Sequence, residues 1–150
     1  MIETIIDKAK TIAIIVPSAF NSDGITFLTK PEFPLQLGHM SHPEGHEILP
    51  HLHHPIHRET HDTYEVLFIK KGRMRIDFFN FDKEYLTSRE LQTGDFVLLV
   101  GAGHGITMLE PTVLIEVKNG PYYPEKDKER FKNPLSALNF GDNNNGNNCS

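Results

Sequence analysis

The sequence contains a single cysteine, Cys149, so no disulfide framework holds the fold together. It has no long apolar run. The longest near the N-terminus, residues 12–16, falls far short of the roughly 20 residues that a membrane-crossing helix takes. Nor is there a basic excess. Fifteen Lys and Arg stand against 20 Asp and Glu, for a net charge of −5. This argues against a nucleic-acid module, because binding phosphates takes a basic face. A secretory signal needs a basic region ahead of an apolar one, but here Glu3 and Asp7 acidify the start and Lys8 and Lys10 interrupt it. The expectation is a cytoplasmic protein with no membrane and no nucleic-acid partner. No repeat and no linker divides the 150 residues, a length suited to one domain with one core.

What is abundant is histidine. Of nine, eight fall between His39 and His61, and the ninth is His104. Around them the chain reads as short strands separated by turn residues. Alternating patterns occupy residues 25–29, 35–40, 48–53, 65–71, 73–79, 85–91, 96–100, 106–109 and 112–118. No stretch between Thr26 and Lys118 keeps a helical period, and many closely spaced strands argue for an all-β sandwich or barrel. Residues 2–10, with Ile2, Ile5 and Ile6, suit a short helix, and residues 126–132 suit a helical turn or two. The expected organisation is an N-terminal segment over 1–23 (short helix plus edge strand), a β-barrel over 24–132, and a C-terminal extension over 133–150. In that extension the Asn- and Gly-rich end, residues 141–150, should be disordered. Residues 11–16 should add a strand to a sheet edge, within the chain or across a two-fold dimer.

Side chains two apart on a strand point the same way, so His51 and His53 can offer two imidazoles to one ion. Glu65 shares the inward parity of Leu67 and Ile69, where a carboxylate is costly unless paired or metal-bound. His104, between Gly103 and Gly105, could complete a shell of three imidazoles and one carboxylate. The plainer reading stands beside it: a solvated histidine-rich loop, with Glu65 paired to Arg73 or Arg75. Arg73, Arg75 and Lys118 are candidates for an anionic group of a substrate. Tyr122 or Tyr123 with a histidine could form an acid–base pair. There is no Gly-x-Ser-x-Gly elbow, no cysteine placed as a nucleophile, and no phosphate loop around Gly101, Gly103 and Gly105.

The sequence resembles the cupins. Gly45 leads to His51-Leu52-His53, and Glu65 leads to Gly72, as in the first cupin motif, with a longer loop between His53 and Glu65. Gly94-Asp95 leads through residues 96–100 to His104, as in the second, although Val100 stands where a proline is usual. Residues 24–131 also resemble a narrower group of small single-domain cupins, through Thr63-Tyr64-Glu65-Val66-Leu67, Glu116-Val117-Lys118 and Gly120-Pro121-Tyr122. The resemblance implies a double-stranded β-helix (a jelly-roll barrel) with one divalent ion, Zn, Mn, Fe, Ni or Co, held by His51, His53, Glu65 and His104. A second alignment uses Glu59-x-His61 in place of the His-x-His pair. The implied function is a metal-dependent enzyme acting on a small polar molecule, a sugar or nucleotide-sugar among the options, by isomerase, epimerase or oxygenase chemistry. The alternatives are a non-catalytic ligand-binding or sensing cupin, and a metal-free epimerase in which histidine and tyrosine carry protons. A small-molecule ligand and a homodimer are the expected partners.

Overall fold

A computed structural model describes residues 1–135; the tail expected to be disordered, residues 141–150, lies outside the described residues. These residues form ten strands: β1 (Glu3–Asp7), β2 (Lys10–Val16), β3 (Gly24–Phe27), β4 (Gly38–Ser41), β5 (Tyr64–Lys71), β6 (Arg73–Phe79), β7 (Tyr85–Gln92), β8 (Phe96–Val100), β9 (His104–Met108) and β10 (Val113–Lys118). All pairing is antiparallel. A five-stranded sheet runs β1-β2-β8-β5-β10, a three-stranded sheet runs β7-β6-β9, and β3 and β4 form a two-stranded ribbon. The protein is all-β, with sheets packed as a sandwich rather than closed into a barrel. No helix among the described residues is long and apolar enough to cross a membrane.

The alternating patterns explain the layers. Leu67 and Ile69 of β5, Met74, Ile76 and Phe78 of β6, Leu91 of β7, and Val97 and Leu99 of β8 are buried together between the two larger sheets. The other parity of the five-stranded sheet carries Ile14, Val16, Tyr64, Leu98 and Val100. That face is covered by Phe20, Leu28, Phe33, Leu35 and Leu37 from the segment that follows β2. β8 is therefore buried on both faces, which its unbroken apolar sequence permits.

The short helix expected over residues 2–10 is instead strand. Lys8 and Ala9 adopt left-handed backbone (φ 45° and 66°) and reverse the chain, so β1 pairs with β2 from Glu3↔Ile15 to Asp7↔Lys10. A helix of that length is marginal alone, whereas the hairpin satisfies its backbone through a neighbour. β2 is interior rather than an edge: its other side pairs with β8, so residues 11–16 find both partners within the chain. Residues 126–132 make no helix; a hydrogen-bonded turn from Tyr123 O to the amides of Lys126 and Asp127 is followed by irregular chain.

Residues 48–53, expected as a strand, are loop, and residues 43–62 are exposed throughout. Alternation there gives two faces, but Pro43, Pro50 and Pro55 each remove a backbone donor, and no strand lies alongside to pair.

Candidate functional site

β5 and β10 run side by side with Glu65 opposite Lys118, and β6 and β9 with Phe78 opposite His104. Glu65 thus stands at one end of the five-stranded sheet and His104 at the same end of the three-stranded sheet facing it. Their side chains meet across the sandwich, with His104 Nε2 3.3 Å from Glu65 Oε2. Glu65 is 14% exposed and His104 30%. The other imidazole nitrogen, His104 Nδ1, is buried without a hydrogen-bond partner. Of its two ring nitrogens, Nε2 is the one with a polar neighbour among the described residues.

The other carboxylate oxygen of Glu65 lies 3.9 Å from Lys118 Nζ. That ammonium also donates to Asp127 Oδ2 at 3.1 Å and lies 3.8 Å from Glu116. It stands 4.3 Å from the centre of the Tyr122 ring, a cation–π contact. The hydrogen bond to Asp127, opposed by desolvation and supported by the charges of Asp127, Glu116 and Glu65, holds Lys118 above the ordinary lysine value. Its ammonium therefore stays charged, and three carboxylates surround it.

These groups lie on or beside a cavity of about 460 Å³. Glu65, His104, Glu116 and Asp127 contribute its polar surface, Phe79 and Phe131 part of its apolar surface, and Arg130 and Asn133 a further wall. The volume suits a small molecule.

Of the four residues implied as metal ligands, the structure brings together Glu65 and His104. His51 and His53 stand on the exposed loop, their rings edge to face with centres 5.3 Å apart, and neither lines the cavity. His51 Nδ1 is 3.0 Å from the carbonyl of Leu49. His61 is also exposed, 3.8 Å from Glu59, so the second alignment does not reach the cavity either. A catalytic ion is usually held by three protein donors. Among the described residues no group of three His, Cys, Asp or Glu side chains is placed to hold one, and Glu65 already faces the Lys118 ammonium. As arranged, these residues do not fit a metal centre.

The candidates for an anionic substrate group are all paired. Arg73 bonds Glu90 at 3.1 Å, Arg75 lies 3.0 Å from Asp77, and Lys118 is held as above. Gly103 and Gly105 line the cavity and seat side chains: a Cβ on Gly103 would lie 2.9 Å from the Phe131 ring, and one on Gly105 3.2 Å from Asn133 Nδ2. Tyr64 packs on the outer face, as its parity predicts. Asp127 falls in the stretch that carries the resemblance, through Asp127-Lys128-x-Arg130-Phe131, but it lies beyond the last strand, where no periodicity marks it as facing Lys118. Asp77 carries the parity of Arg73 and Arg75, which reads as solvated, yet it has no exposed surface.

No protein-family model, curated protein or solved structure matches the chain.

Proposed function

We propose that the chain is an enzyme of the isomerase or epimerase type that moves a proton on a small polar molecule, with Glu65 and His104 as the acid–base pair. The observation that carries this reading is the 3.3 Å approach of His104 Nε2 to Glu65 at the base of a cavity of small-molecule size. In this scheme the Glu65 carboxylate takes a proton from a C–H next to a carbonyl while His104 Nε2–H gives its proton to the carbonyl oxygen. Glu65 then returns its proton to the former carbonyl carbon, and Nε2 regains one from the adjacent hydroxyl. The Lys118 ammonium stands 3.9 Å from the other oxygen of Glu65 and offsets its negative charge. The reading agrees with the part of the cupin resemblance carried by the motifs around Glu65, Gly94 and His104, and with the metal-free epimerase alternative.

The test is hydrogen exchange on carbon. Small polyhydroxy aldehydes and ketones are incubated with the protein in deuterated water, and loss of the C–H signal is followed by proton NMR, with ligand-induced melting shifts measured in parallel. The wild type should catalyse exchange with at least one compound that raises its melting temperature. His104→Gln should slow that exchange by about a hundredfold or more while the melting shift persists. Melting shifts without exchange in the wild type would replace this reading with a non-catalytic binding protein.

A further inference from the structure

After β10 the chain turns back across the end of the sandwich. Residues 120–133 contain no regular strand or helix, yet Asp127, Arg130, Phe131 and Asn133 from this stretch form one wall of the cavity. Side chains hold it down at separate points. Asp127 accepts from Lys118 at 3.1 Å and from Thr63 at 3.5 Å. Glu129 accepts from Lys83 at 2.7 Å. The Phe131 ring meets Phe79 edge to face, with centres 5.1 Å apart. At the far end Asn133 Nδ2 donates 2.8 Å to Asp77 Oδ2, a carboxylate with no exposed surface. Phe131 and Asn133 rest on Gly103 and Gly105, the two residues on either side of His104, where any Cβ would push them away.

We propose that residues 120–133 are a strap that closes over the Glu65–His104 pair and is latched by Asn133 on Asp77. Three features of the segment suit opening. It has no backbone ladder to break. Most of its residues are exposed, so lifting it uncovers little apolar surface beyond Phe131. The latch is one hydrogen bond to a charged acceptor, strong enough to hold a closed state and weak enough to release. When the strap lifts, Arg75 and Ser88 still hold the Asp77 carboxylate, so opening does not strand a buried charge. The inference does not depend on which reaction His104 serves.

Two probes read the strap directly. Lys126, Lys128, Arg130 and Lys132 are trypsin sites inside it. Diethyl pyrocarbonate reads the accessibility of the His104 imidazole, with the exposed His51, His53, His54, His57 and His61 as an internal reference in the same chain. Asn133→Ala should speed cleavage within the strap about tenfold. It should also raise modification of His104 relative to the loop histidines, with the strands uncut. Glu129→Gln, which removes the charge that Lys83 pairs with at an exposed contact and adds no trypsin site, should act in the same direction by a smaller factor. It decides the matter if Asn133→Ala loses its cooperative melt. Unchanged strap cleavage in the folded variants would overturn the proposal. So would faster cleavage with no change at His104, because the strap would then not cover the pair.

Discussion

At the scale of residues, Asp77 is a charge with no exposed surface. Burial by itself pushes its carboxyl up. Hydrogen bonds from Ser88 and Asn133, with the charge and hydrogen bond of Arg75, outweigh that and hold it below its ordinary value. A carboxyl whose folded pKa lies below the unfolded value of about 3.9 contributes stability above that pH and loses it as pH falls through the folded value. The urea midpoint should therefore drop as pH falls below about 4, and Asp77→Asn should flatten part of that drop. Glu3 keeps a share of the slope: its hydrogen bond to Arg89 leads the causes that lower it, although the pair is exposed enough for solvent to weaken it. At pH 7, Asp77→Ala should cost about 3 kcal/mol, because Arg75 loses its partner and Ser88 and Asn133 their acceptor. A loss well under about 1 kcal/mol in urea titration would contradict the burial of this carboxylate.

At the scale of elements, the turn between β5 and β6 carries the chain from the five-stranded sheet to the three-stranded one, and Gly72 makes it possible. Its φ of 94° is open to glycine and strained for other residues. A Cβ there would lie 2.5 Å from the carbonyl oxygen of Pro111 and 2.7 Å from Thr112 Cα, both backbone atoms. Gly72→Ala must move the chain between β9 and β10, and it should cost about 3 kcal/mol or more from strain and overpacking together. Chemical denaturation checks this; a near-neutral variant would mean that the segment before β10 yields freely. The same glycine aligns with the end of the first cupin motif, and its backbone geometry accounts for its place without appeal to a ligand.

At the scale of the whole molecule, the metal question becomes a measurement. If the histidine-rich loop folded onto the cavity and His51, His53, Glu65 and His104 closed around an ion, added metal would raise the melting temperature at neutral pH. The increment would disappear at mildly acidic pH, as protons displaced the ion from its imidazoles, and His104→Ala would abolish it. The arrangement seen here, two donors beside a resident ammonium, leads to a different expectation. Any increment after chelation and re-addition of zinc, nickel or manganese should be the same in His104→Ala as in the wild type, because it comes from the exposed loop imidazoles. Thermal melts of both proteins at neutral and acidic pH separate the two outcomes.

Wherever a two-residue period runs through a segment with strands on both sides, the sequence by itself determined the structure. β6 and β8 begin and end where alternation and apolar continuity place them, and the inward parity of Glu65 and the outward parity of Tyr64 hold. Period is a property of one strand, so it specifies which face a residue takes. It does not specify what stands opposite. Residues 48–53 carry the same alternation as β5, yet they have no neighbour to pair with and remain loop. Residues 2–10 pass for a helix until the turn at Lys8 and Ala9 brings β2 alongside. The site was decided by tertiary structure for the same reason. Glu65 meets His104 only because two sheets face each other, and Lys118 meets Glu65 only through the register of β10 on β5. One of the hydrogen bonds that the buried Asp77 carboxylate accepts comes from Asn133, 56 residues further along the chain. Electrostatic partners act through space, and the packing of distant segments sets that distance.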